Sequence, residues 1–234
     1  MISFTFGGKN SYKDYGIIIS KRPNLPSPKR RVSYIDIPGR DSSLVYDEET
    51  YENITIGVEC KIKDGNLIDK IDDIKAWLYT SGENDLVFSF QDDKKYRAQV
   101  VNSIDFSQVV KIFSEFIIVF NCRPFKYATY NNIFTIAESG SSIINVGSIK
   151  SQPIISVYGE GNIELTVNET KVNLTNIKDK IILNSVIQDS YNDLGENLNN
   201  KVKGEFIYLN PGSNRVEWTG NVSKIEILPN WRWL

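Results

Sequence analysis

The chain has 234 residues, 27 basic against 29 acidic side chains, and 41% hydrophobic residues. That is room for one large domain or two of ordinary size, and a net charge of −2 gives a single copy no broad basic field for wrapping nucleic acid. Histidine is absent and only Cys60 and Cys122 carry thiols, which excludes Ser-His-Asp and Cys-His nucleophiles, His-ligated zinc and a four-sulfur metal site. Catalysis would have to rest on carboxylates, lysine or tyrosine, so the composition leans away from an enzyme.

The opening Met1-Ile2-Ser3-Phe4-Thr5-Phe6 has neither the charged start nor the apolar stretch of a signal peptide. No apolar run approaches the roughly 20 residues that cross a bilayer. These features predict a soluble protein made in a cytoplasm, with no membrane insertion. Lys21 to Arg31 combines five basic residues with three prolines; proline removes backbone donors and fixes an extended path, so this is a loop or arm. Clustered cations there could meet phosphates, although a solvated loop or subunit contact suits the acidic balance better.

From Ile54 to Ile62 every even position is apolar, the mark of a strand with one face on a core and one in water. Phe116, Ile118, Phe120 and Cys122 repeat that pattern. Between these strands the apolar positions run Leu67, Ile71, Ile74, Leu78, a spacing of four, three and four that lies on one helical face. Asn66 is placed to cap this amphipathic helix, Asp69, Asp72 and Asp73 sit toward its positive end, and Gly82 can take the left-handed stop.

After Pro124 the alternation lapses, which sets a boundary near residue 130. The second part reads as short strands: Ile163, Leu165 and Val167 alternate with polar residues, as do Val216 and Trp218. Tyr158-Gly159-Glu160-Gly161-Asn162 and Asn210-Pro211-Gly212-Ser213 read as turns between strands. The expected fold class is mainly β, with residues 1–130 a β domain carrying one helix and residues 131–234 of sandwich dimensions.

Candidate chemistry is thin. The adjacent acids Glu48-Glu49, Asp72-Asp73 and Asp92-Asp93 point to opposite faces wherever the backbone is extended, whereas glycosidase chemistry needs two facing carboxyls. Asp189 to Glu196 is rich in oxygen ligands but misses the spacing of a calcium loop. Four Asn-x-Ser/Thr sequons have no meaning without secretion, and Gly7-Gly8 lacks the strand-to-helix context of a phosphate cradle. Cys60 and Cys122 fall on apolar registers and read as buried free thiols. Trp218, Trp231 and Trp233 suit core or interface anchoring, with sugar stacking as the alternative use. No cofactor or metal is expected.

Several pieces in order resemble a known family. They are Phe4-Thr5-Phe6-Gly7-Gly8 with Asp14-Tyr15-Gly16-Ile17, the Ile37-Pro38-Gly39-Arg40-Asp41 turn, and the helix ending Trp77-Leu78. Phe120-Asn121-Cys122-Arg123-Pro124-Phe125, Pro153 to Gly159, Leu209 to Asn214 and Pro229-Asn230-Trp231-Arg232 follow. This order is similar to that of the distal tail proteins (Dit) of siphophages infecting Gram-positive bacteria, in the short form without an inserted carbohydrate-binding module. Ser42 stands where a glycine is frequent in that family.

The resemblance implies a structural protein of the phage tail tip or baseplate. Its N-terminal domain would close into a hexameric ring between the major tail tube protein and the tail-associated hub or fibre protein, and a galectin-like β-sandwich would follow. DNA would pass through the lumen, a receptor-binding protein is a further partner, and synthesis in the host cytoplasm would precede incorporation into the virion. A closed ring needs two different patches per copy, for which exposed strand edges are an obvious means. Expected interface residues are Ile2, Phe4 and Phe6, Ile17 and Ile19, and Pro38, Gly39 and Arg40, with Arg40 paired to an acid of the next copy. Lys29, Arg30 and Arg31 are candidates for a lumen or subunit contact. The alternative function is a module binding host cell-wall glycans; the absence of the histidine used by lectins of galectin fold speaks against their usual site.

Overall fold

The computed structural model describes residues 1–110 and 113–234. Contacts divide the chain into two compact units, Met1–Thr129 together with Leu234, and Tyr130–Trp233.

In the first unit the elements are β1 (Phe4–Phe6), β2 (Lys9–Asn10), α1 (Ser11–Tyr15), β3 (Ile17–Ile19), β4 (Arg30–Ile35), β5 (Leu44–Tyr51), β6 (Ile54–Lys63), α2 (Leu67–Thr80), β7 (Asn84–Phe88), β8 (Gln91–Val100), β9 (Ser107–Val110) and β10 (Phe113–Ala128). Antiparallel pairing sets the order β2-β1-β7-β8-β10-β6-β3. The predicted alternations become β6 and β10, paired from Cys122↔Ile54 to Phe113↔Lys63. Their apolar positions, Ile54, Ile56, Val58, Cys60 and Ile62 against Phe116, Ile118, Phe120 and Cys122, are all buried on one face.

The predicted helix is α2, and the same core holds its Leu67, Ile74, Trp77 and Leu78. Asn66 precedes it but caps no backbone N–H; its amide donates instead to Asp69 Oδ2 at 2.7 Å. Gly82, at φ 58°, stands where the helix stops. Trp77 lies between two rings, stacked on Tyr15 at 4.5 Å and Phe4 at 5.8 Å, while its indole N–H donates to Phe6 O at 3.0 Å. The short α1 was not predicted, although Asn10, which accepts from the Tyr12 and Lys13 N–H groups, and Gly16 at φ 72° mark its ends. Five residues are too few to show a helical stripe.

The other sheet face carries Asp85 on β7, which accepts from Lys95 Nζ at 2.8 Å and Arg97 Nη1 at 3.0 Å. Partial burial pushes the carboxyl up, but the two cations outweigh it and hold it below its ordinary range. A depressed folded-state pKa adds stability above the unfolded carboxylate value of about 4, and that contribution is lost as pH falls through the folded value. Asp85→Asn is therefore expected to lower the thermal midpoint at neutral pH and to match the parent in strong acid. A deficit of equal size at every pH would show that the charge is not the cause.

The second unit comprises β11 (Phe134–Ile136), β12 (Ser141–Asn145), β13 (Ile154–Val167), β14 (Thr170–Ile177), β15 (Lys180–Asn184), β16 (Asp189–Tyr191), β17 (Val202–Gly204) and β18 (Gly212–Leu228). They form one eight-stranded sheet. Along its first residues β13 lies between β15 and the end of β18; past a bulge it lies between β14 and the start of β18. Two five-stranded halves, β16-β15-β13-β18-β11 and β17-β14-β13-β18-β12, thus share their central strands.

This corrects one expectation: Tyr158 to Asn162 is no turn between strands but the bulged middle of β13. The glycines serve a close crossing. A Cβ at Gly159 would stand 2.3 Å from Asn221 O, and one at Gly220, on the partner strand, 2.4 Å from Asn162 O. Bulges of this kind bend a long strand and let it serve two layers. The second predicted turn is real. Buried Asn214 binds it together, accepting from Asn210 N and donating to the carbonyls of Asn210 and Gly212.

Candidate assembly surface

β4 and β5 form a two-stranded sheet of their own. The arm predicted over Lys21 to Arg31 is irregular as far as Lys29, then enters β4. Cross-strand register puts Tyr34 with Val45 on one face of this hairpin, and Ile35 with Leu44 and Ser33 with Tyr46 on the other. Both faces are in solvent: Tyr34 is 71% and Val45 57% exposed, Ile35 51% and Tyr46 59%. An isolated two-stranded ribbon with apolar side chains on both sides has nothing of its own to bury them against.

The base of the hairpin is fixed. Tyr51 meets Phe125 edge-on at 5.5 Å, Glu52 N–H donates to Lys29 O at 2.9 Å, and Arg30 pairs with Asp47 at 2.8 Å. The Glu49 N–H, followed by the Arg30 guanidinium, holds the Asp47 carboxyl below its ordinary range. At the tip Arg40 N–H donates to Ile37 O at 3.1 Å, closing a turn with Pro38 and Gly39 at its centre. Gly39 has φ 83°, the left-handed conformation that the third position of such a turn requires. Pro38, Gly39 and Arg40 are thus at the exposed end of the hairpin.

The other predicted contact residues lie elsewhere. Phe4, Phe6, Ile17 and Ile19 are buried in the core of the first unit, and Ile2 is half-buried against it. Both edges of β1 are occupied, by β2 and β7. β3 ends the strand order, yet its outer side is engaged as well, since Ile19 N–H donates to Ile2 O and Ile17 O accepts from Ser11 Oγ. These side chains and edges hold their own unit together and leave little for a neighbour, so they are corrected to core positions. Lys29 and Arg30 are committed to Glu52 and Asp47, and Arg31 is exposed. They do not make a free cationic cluster.

Among the described residues no acids converge on one site. The three pairs of adjacent acids lie on β5, α2 and β8. Among the described residues no group of three or more His, Cys, Asp or Glu side chains is placed to hold a metal. Asp189 Oδ1 already accepts from Ser190 N and from the Asn197 and Asn199 amides. Cys60 and Cys122 are free and buried; burial pushes both thiols up, Cys122 to about 12. Trp231 is only 6% exposed and packs on Phe134, which removes it as a sugar platform, while Trp218 and Trp233 are half-buried.

Residues 10–122 match the family described as the phage tail protein RIFT-related domain. Across its whole length the chain is similar in fold to the crystal structure of Dit from phage SPP1, with a TM-score of 0.82, 14% identity and 100% of each chain covered. The chain has the fold of a Dit protein, and its first unit carries the match to the phage tail domain. Both matches, of the domain and of the fold, are to phage tail proteins. The SPP1 protein is described as a paradigm of the hub adsorption apparatus in phages that infect Gram-positive bacteria. No curated protein sequence matches this Dit-like chain. The exposed hairpin, Arg30 to Tyr51, falls inside the region matched by the family.

Proposed function

We propose that this protein closes into a hexameric ring at the tail tip, joining the tail tube to the hub or fibre protein and leaving a lumen for DNA. Residues 1–130 form the ring, and residues 131–234 make a galectin-like domain available to further partners such as a receptor-binding protein. The chain is made in the host cytoplasm and assembled there into the virion. The observation that carries this reading is the hairpin of β4 and β5, whose apolar side chains face water on both sides. A heterologous contact repeated about every 60° closes six copies and gives such a hairpin a neighbour at every position.

Tyrosine and branched aliphatic side chains are effective interface anchors because they bury much area at little conformational cost. Burying one of them fully is worth about 1.5–3 kcal/mol. Replacing Tyr34 and Val45 together by serine is expected to weaken self-association at least tenfold, and Ile35 with Tyr46 likewise, while each variant stays folded. Sedimentation velocity checks this: the parent should reach six times the 26.7 kDa of one chain, and the variants should be smaller. Variants that sediment with the parent at every dilution would refute the hairpin's role.

A further inference from the structure

On the first unit's sheet face turned away from α2, two cavities of about 610 and 380 Å³ share Lys21 and Glu59 and so make one trough. The arm from Lys21 to Pro26 walls one part and Asn102 to Asp105 the other, and Gly57 and Ile117 lie along the floor. We propose that this trough seats the tip of the β4–β5 hairpin from a second copy of the chain. The proposal rests on the ring reading above and names the surface that the hairpin meets.

Charge is the first argument. Among the described residues, Arg40 and Asp41 at the tip have no ion-pair partner, and neither do Glu59 and Lys21 in the trough. Tip and trough therefore hold complementary unpaired charges, Arg40 for Glu59 and Asp41 for Lys21. Shape is the second. Gly57 sits inside β6, where glycine carries a conformational cost. Nothing in its own unit requires it: its φ lies outside the left-handed region, and a Cβ there would meet no atom within 4 Å. A strand glycine over open space suits the close passage of another backbone. Ile117, 52% exposed and paired across the ladder with Glu59, offers apolar contact to the incoming hairpin.

The test uses the full chain. Gly57→Ile should leave the single copy at least as heat-stable as the parent, because the space is empty and isoleucine favours strands, yet lower its sedimenting mass by blocking the seat. Arg40→Glu and Glu59→Arg should each weaken assembly tenfold or more, and the two together should restore it. With Arg40→Cys and Glu59→Cys in one chain, mild oxidation should link separate chains into a ladder on a denaturing gel, against low background from the buried native thiols. A ring-sized Gly57→Ile protein, or a ring-sized cysteine variant that forms no interchain bond, overturns the seat and leaves the ring standing. A parent that stays at the mass of one chain under all conditions overturns both.

Discussion

Trp77→Ala is expected to cost the protein about 3–5 kcal/mol, the range found when a large aromatic is cut from a packed core. Three contacts go at once: the stack on Tyr15, the stack on Phe4, and the bond from the indole N–H to Phe6 O. The last matters beyond its own strength, because it ties α2 to β1, and truncation leaves the Phe6 carbonyl without that donor. Trp77→Phe separates the contributions. It keeps a ring between the two neighbours and removes only the donor and part of the area, so its cost should fall to about 1–2 kcal/mol. Urea unfolding followed by far-ultraviolet circular dichroism measures both. An alanine variant within about 1 kcal/mol of the parent would mean that the helix is not held to the sheet through this ring.

The second large effect is expected at Gly220. Its φ of 94° is a conformation that side chains rarely adopt, and a Cβ would stand 2.4 Å from Asn162 O and 3.3 Å from Ile163 Cα. These are backbone atoms of β13, which cannot swing aside as a side-chain end can. Strain of this kind costs about 1–3 kcal/mol by itself, and the overlap adds to it, so Gly220→Ala should lose about 3 kcal/mol or more. Gly212→Ala is the control: its φ is 87°, but a Cβ there meets nothing within 4 Å. The difference between the two variants in thermal or urea unfolding isolates the close crossing of β13 and β18. Equal losses would show that only the φ angle counts, and that the glycine is not needed for the folded-over sheet.

Alternation of period two is readable wherever one face of a strand is buried in its own chain. That is why β6, β10 and the end of β13 follow from sequence, and why α2 follows from its four-three-four spacing. The hairpin lacked that signal for a physical reason. With both faces exposed, Leu44-Val45-Tyr46 is apolar at consecutive positions, so no period separates inside from outside. At Tyr158 to Asn162 the two glycines have the composition of a turn, and only the backbone approach of Asn221 reveals a bulge. Apolar alternation also cannot say whose core a residue enters. Phe4, Phe6, Ile17 and Ile19 are expected from sequence at a subunit contact, and they occupy the unit's own interior. The turn at Pro38-Gly39-Arg40 was readable as a turn, while its position at the end of a projecting ribbon was not.

In an assembled ring the hairpin should be covered on both faces. Hydroxyl-radical labelling of Tyr34 and Tyr46, read by mass spectrometry in intact virions and in the dilute isolated chain, tests this most directly. The two tyrosines lie on opposite faces; both should be strongly protected in the virion and reactive in the single chain. Equal labelling in the two states would leave the hairpin in water after assembly and contradict its role as the joint between copies.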